Sequence, residues 1–262
     1  MTKTHGAWIW YELMSPDPEG SKTFYEAVIG CAMTTGHGGG NTDYGFITAP
    51  DGAMVGGILR LSADMQQHGA WPCWLGYIGV DNVDASAAAI EAAGGKVLMA
   101  PWDVAMAGRV TLVADCCGAP FYIMTPTPPP GGGTSTAFAA LPNPGHCGWN
   151  ELLADDAAKA IAFYTGQFGW TLPEPTDMGP MGKYQFIAHD GGTVGAIMGK
   201  PPHVPVSAWA PYFWVTSIDA AQAAVATNGG TVINGPHQVP GDLWVIQGTD
   251  PQGAVFSLTG HK

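Results

Sequence analysis

Six glutamates occur in the chain, and two of them, Glu12 and Glu151, stand in matching Trp-x-Glu-Leu segments. Strand alternation puts each carboxyl on the same face as the tryptophan two residues before it. If that face lines a cleft, partial desolvation raises the carboxyl pKa. The group is then suited to general-base work, or to accepting a hydrogen bond from a ligand hydroxyl or N–H. The competing reading is structural, with both acids satisfied by backbone N–H groups or by a contact between the two halves of the chain.

Aromatic residues surround these acids in the sequence. Trp10, Trp74, Tyr77, Trp102 and Tyr122 fall at inward strand positions of the first half, and Trp149, Tyr184, Tyr212, Trp214, His237 and Trp244 at those of the second. Such walls suit planar or hydrophobic ligands, although any single ring is as well explained as core. Arg109, one of two arginines, opens a strand on the expected rim of the first cleft. Its planar fork suits a carboxylate or enolate ligand, or a neighbouring acid of the protein. The eight histidines show no metal-ligand spacing, and His237 alone is kept as a rim candidate. Gly36-His37-Gly38-Gly39-Gly40-Asn41 lacks the Lys-Ser/Thr of a phosphate loop and reads as a connection or a loop over the cleft.

The elements that must carry these residues come in two copies. Trp10-Tyr11-Glu12-Leu13 overlies Trp149-Asn150-Glu151-Leu152 at a shift of 139, and Asp17, Phe24-Tyr25 and Gly30 match Asp156, Phe163-Tyr164 and Gly169 in the same register. At a shift of 135, Tyr77, Asp84, Asp115, Gly118 and Phe121 match Tyr212, Asp219, Asp250, Gly253 and Phe256. Within a copy, period-2 alternation predicts a strand over Trp8–Met14, and Asp17-Pro18-Glu19 predicts a capped helix start. Tyr44–Thr48, Ala53–Leu59 and Trp74–Val80 read as strands. A second helix runs from Asn82–Asp84 to a glycine stop at Gly94-Gly95, and Val97–Met99, Arg109–Ala114 and Pro120–Met124 read as further strands.

Composition narrows the function. With 9 basic against 21 acidic residues the net charge is −12, the opposite of what a phosphate backbone attracts, so nucleic acid is not an expected partner. Neither a secretory leader nor a membrane-length apolar run is visible, which predicts a cytoplasmic protein with no membrane partner. The five cysteines show no C-x-x-C pair and read as reduced thiols, with a vicinal disulfide at Cys116-Cys117 conceivable.

Leu13-x-x-x-Asp17-x-x-x-Ser21-Lys22-x-Phe24-Tyr25, the Val80-x-x-Val83-Asp84 helix entry and the Asp115-x-x-Gly118 turn resemble the glyoxalase/bleomycin-resistance/extradiol dioxygenase superfamily, also called vicinal oxygen chelate proteins. The second half repeats the pattern with Leu152, Asp156, Phe163-Tyr164, Ile218-Asp219 and Asp250-Pro251-x-Gly253. The resemblance implies an α+β fold of tandem paired βαβββ modules, two glyoxalase-like domains that are each an open curled sheet around a cleft. The domains would span residues 6–125 and 146–260, with a Pro/Gly-rich linker at 126–145. Metal-dependent relatives take ligands from three strand positions, which here are Trp10, about Leu75 and Tyr122, and Trp149, about Ala210 and Ser257. None supplies an imidazole or carboxylate, so neither metal nor other cofactor is expected; a shift of two would bring in Glu12 or Glu151.

Two function classes follow. One is a metal-independent binder of a small hydrophobic or aromatic molecule, like the bleomycin-resistance branch. The other is an enzyme of the lyase, isomerase or dioxygenase/hydroxylase type using Glu12 or Glu151, with or without a divalent metal. The assembly is a monomer or a homodimer.

Overall fold

A computed structural model describes residues 4–36, 43–128 and 132–262. The glycine-rich run therefore lies, from His37 onward, outside the described residues, as do Pro129, Pro130 and Gly131 of the linker. The first half supplies β1 (Trp8–Ser15), α1 (Pro18–Val28), β2 (Ala32–Met33), β3 (Tyr44–Thr48), β4 (Met54–Arg60), α2 (Ala63–Gln67), β5 (Cys73–Gly79), α3 (Val83–Ala92), β6 (Lys96–Val97), β7 (Trp102–Val104), β8 (Gly108–Ala114) and β9 (Pro120–Pro126). The second supplies β10 (Cys147–Ala154), α4 (Ala157–Phe168), β11 (Thr176–Asp177), β12 (Lys183–His189), β13 (Gly192–Gly199), β14 (Ala208–Val215), α5 (Ile218–Thr227), β15 (Thr231–Val239), β16 (Leu243–Thr249) and β17 (Val255–Gly260). The fold is α+β, and among the described residues the strands form one sheet of nine and one of eight. Among them, too, no helix is long and apolar enough to cross a membrane.

Local chemistry explains the boundaries. Asp17, Asn82, Asp156 and Ser217 each cap a helix by accepting a backbone N–H of its first turn, and Pro18 opens α1 where a missing N–H costs nothing. Gly94 follows α3 at φ 86° and Gly169 caps α4 at φ 65°, conformations that a Cβ would penalise. The expected strand over Val97–Met99 is shorter, because the N–H groups of Leu98 and Met99 both turn to the Leu112 carbonyl.

The chain divides into two compact units, and neither is a half of the sequence. Unit 1 comprises Met1–Ile9, Gly76–Ser135 and Asn150–Trp209; unit 2 comprises Trp10–Leu75, Thr136–Trp149 and Ala210–Lys262. In unit 1 the strand orders are β5-β9-β8-β6, with β7 on β8, and β11-β12-β13-β10. Its aromatic core draws on both halves: Trp8 meets Trp170 and Trp209, and Phe121 meets Tyr164 and Phe168.

Unit 2 contains β2-β3-β4-β1 and β14-β17-β16-β15. Here α1 packs on α5, Phe24 and Tyr25 meet Phe256, and Tyr11 and Trp74 meet Phe213. Tyr25 is buried between two partners: it accepts a bond from Trp74 Nε1 at 3.0 Å and donates to Asp250 Oδ2 at 2.9 Å. Asp250 Oδ1 in turn accepts the N–H groups of Gln252 and Ala254. The Asp-x-x-Gly turn and the Phe-Tyr pair are thus parts of one buried assembly. In unit 1, Tyr164 accepts from Trp209 Nε1 at 2.7 Å and lies beside Asp115, which holds the N–H groups of Cys117 and Ala119. Residues 136–147 also belong to unit 2: Cys147 N–H bonds the Ala137 carbonyl, and Trp214 Nε1 bonds the Ala139 carbonyl.

Candidate functional site

Glu12 lies on β1 with 2% of its surface exposed. In the parallel pairing of β1 with β4 it stands opposite Gly57, which stands opposite Phe46 on β3. Because Gly57 has no Cβ, the ring of Tyr44 can lie across it. The Tyr44 hydroxyl accepts a bond from Trp10 Nε1 at 3.0 Å and donates to Glu12. Burial, and then the charge of Glu12, push the Tyr44 pKa well up, so the phenol keeps its proton and remains a donor. Cys73, also in unit 2, has its thiol pushed up to about 12 by burial and then by Glu12.

The second half builds the same pair. Tyr184 on β12 donates to Glu151 Oε2 at 2.8 Å, and Glu151 stands opposite Ala196, which stands opposite Phe186. Glu151 is half-buried, and Trp149 precedes it by two on the same strand. Tyr44 escaped the sequence reading; its signal was its distance of 140 residues from Tyr184.

On β5 and β9, Tyr77 and Tyr122 are opposite one another with stacked rings, 4.3 Å between centroids, and Trp102 approaches Tyr122 edge-on at 6.3 Å. Strand alternation turns Arg109 to the other face of β8 from Val110, the partner of Trp102. There Asp84, in the first turn of α3, takes both Nε and Nη2 at 2.7 and 2.9 Å, and Asp103 takes Nη1 at 3.2 Å. In unit 2, Tyr212 accepts a bond from Gln247, which is joined through Asn234 to the exposed His237. Trp214 is buried, with its indole placed where a Cβ on Gly148 would collide.

The chain matches the family described as the Glyoxalase/Bleomycin resistance protein/Dioxygenase superfamily over residues 9–123 and 143–258. It belongs to that superfamily. Among its relatives, the anthracycline biosynthesis protein DnrV of Streptomyces peucetius is 31% identical over 274 residues, covering 97% of this chain and 92% of that protein. CFP32 of Mycobacterium tuberculosis, provisionally named a glyoxylase, is 33% identical over 255 residues, covering 95% and 92%. Among solved structures, the Mn(II)-bound glyoxalase of Novosphingobium aromaticivorans superposes with a TM-score of 0.65 at 18% identity, covering 97% of this chain and 82% of that one. The 2,3-dioxygenase LapB of Pseudomonas sp. KL28 gives 0.63 at 13%, covering 97% and 93%. These two establish the fold alone.

Metal-dependent members of the superfamily need about three imidazole, thiolate or carboxylate donors around one ion. Among the described residues of this member no three His, Cys, Asp or Glu side chains are grouped closely enough to hold one. At one of the ligand positions that the family resemblance implies, Tyr122 on β9 stacks on Tyr77 of β5. Among the described residues, the donor set does not fit such an ion.

Proposed function

We propose that this superfamily member binds a small hydrophobic or aromatic organic molecule without a metal, on the aromatic faces of its strands. Glu12 and Glu151 would be the polar anchors. The observation that carries this reading is the repeated pair: in each half a glutamate on the opening strand takes a hydrogen bond from a tyrosine two strands away, Tyr44 in one case and Tyr184 in the other. A carboxylate fixed in this way is held in one orientation, and the flanking rings favour a flat ligand. The names of DnrV and its counterpart in Streptomyces sp. strain C5, both anthracycline biosynthesis proteins, agree with an aromatic ligand. Five free cysteines agree with a reducing, cytoplasmic setting and a soluble small-molecule partner.

The second reading is an enzyme that moves a proton with Glu12 or Glu151. It is favoured by the burial of Glu12 beside the Tyr44 phenol, whose raised pKa keeps it a hydrogen-bond donor to the carboxylate. The name given to CFP32 also leans this way.

Native mass spectrometry of protein purified without chelator or affinity metal tests the first reading. A retained organic mass, reduced in Glu12→Gln with the melting temperature within a few degrees, is the expected result. Conversion of that compound during incubation would move the assignment to the enzyme, and a stoichiometric divalent ion would overturn the metal-free account.

A further inference from the structure

The two halves present different chemistry at matching places. In unit 2, Tyr212, Ser257, Gln247 and Asn234 form a row across β14, β17, β16 and β15, each opposite the next. Gln247 Nε2 reaches past Ser257 to donate to the Tyr212 hydroxyl at 3.0 Å, and Asn234 Nδ2 donates to Gln247 Oε1 at 2.9 Å. His237 Nε2 lies 2.8 Å from Asn234 Oδ1, an oxygen that can only accept, so that ring nitrogen carries the proton. Every bond in the row therefore points from His237 towards Tyr212. Aligned bonds of this kind polarise one another, and a hydroxyl that accepts such a bond becomes a better donor.

At the 135-residue shift the same row in the first half reads Tyr77, Tyr122, Leu112, Met99 and, for His237, Trp102. It is a stacked tyrosine pair with an indole beside it, and its amide and imidazole positions hold apolar side chains. Two further observations mark the second-half row as a site. Exposure grades along it, from open His237 and Asn234 through half-buried Gln247 to buried Tyr212 and Ser257. Ser257 is 1% exposed, and its Oγ has no hydrogen-bond partner among the described residues. A buried hydroxyl without a partner is destabilising unless something supplies the bond. The alternate residue Phe256 packs against Phe24 and Tyr25, so Ser257 shares the opposite face with Gln247 and Tyr212.

We infer that the Tyr212–Ser257–Gln247–Asn234–His237 row binds the neutral, hydrogen-bonding end of an oxygen-substituted aromatic ligand, whereas the matching row of the first half, where leucine, methionine and tryptophan replace the amides and the imidazole, takes a ring through its apolar face. The row holds no carboxylate and no permanent cation, so a hydroxyl, carbonyl or carboxamide fits it better than an ion. The inference rests on the reading of the strand faces as small-molecule sites.

The test uses the full ¹⁵N-labelled chain with two probes at millimolar concentration, 4-hydroxybenzamide and toluene. The expected result is that 4-hydroxybenzamide shifts the side-chain NH₂ signals of Gln247 and Asn234, while toluene shifts the indole N–H of Trp102. Gln247→Leu should weaken 4-hydroxybenzamide about tenfold, the equivalent of one well-made hydrogen bond, and leave the toluene response intact. Asn234→Ala, at an exposed position, provides the same comparison if Gln247→Leu does not fold. If toluene moves Trp102 while 4-hydroxybenzamide leaves both amides unmoved, the row is structural and this inference alone fails. If neither compound moves any of these signals, the small-molecule reading fails with it.

Discussion

Tyr44 lies across Gly57 so closely that a Cβ on Gly57 would fall inside the phenol ring's van der Waals surface. The contact ties a backbone position on β4 to the orientation of a carboxylate on β1. Gly57→Ala should therefore displace Tyr44 from Trp10 and Glu12, at a cost on the order of 1–3 kcal/mol, as for other overpacked sites. Denaturant unfolding measures the cost, and Trp10 indole N–H exchange reports the broken bond. Unchanged exchange would show that the ring has another place to go.

Tyr25→Phe removes the hydrogen bond to Asp250 Oδ2 together with the acceptor of Trp74 Nε1, both in the buried interior. Stability should fall by about 1–3 kcal/mol, the usual cost of orphaning a buried polar group. The change should appear in the unfolding midpoint with the slope unchanged. A shift of a few tenths would mean that Asp250 is held by its backbone bonds alone.

Stability should also depend on pH in two opposed ways. Burial raises the pKa of Asp115 and Asp250, so between the ordinary carboxylate value and their raised native ones the folded state keeps protons that the unfolded chain has released. Their contribution declines as pH rises from about 4, the unperturbed carboxylate value, through the raised native one. Asp51, Asp84 and Asp156 are lowered, Asp51 chiefly by the Ala53 N–H, Asp84 by Arg109 and Asp156 by the Lys159 N–H. What they contribute is present above about 4 and is lost as pH falls through their native values. The double variant Asp115→Asn/Asp250→Asn should lack the decline on the rising side, and superimposable curves for the two proteins would contradict the assignment.

Thiol chemistry gives a separate check. Burial pushes Cys31, Cys73, Cys116 and Cys147 up to about 12, where little thiolate exists at pH 8. A thiolate-directed reagent should label these four slowly until the protein unfolds. Rapid labelling of Cys31 or Cys147, both buried, would reveal local opening.

What could be read in the sequence was whatever local order encodes. The duplicated Trp-x-Glu-Leu strands, the Asp17-Pro18 helix start and the glycine stop after α3 depend on neighbours a few residues apart, and each appears where the pattern put it. Tyr44 was not legible as a site residue, because its role arises from the missing Cβ of Gly57 across two strand pairings. Gln247 and Asn234 were hidden for a related reason. The β15–β16 ladder shifts register between Val232 and Asn234 and again before His237, so simple alternation does not say which polar residues share a face. Arg109 was legible only as a choice between a ligand and an acid, and the position of Asp84, 25 residues earlier, decides which one it meets.

Because Tyr25 bonds to Asp250, 225 residues further along, unit 2 joins residues that leave the ribosome far apart in time. At about 5–20 residues per second, Phe24 and Tyr25 wait roughly 10–45 s for their partners on β17 and its preceding turn. Unit 1 has its full complement of residues once Trp209 has emerged, before the last part of unit 2 is made. The nascent chain thus carries an unfinished aromatic surface until β17 has emerged, and chaperone demand should track the rate of elongation through the second half more than the stability of the finished protein.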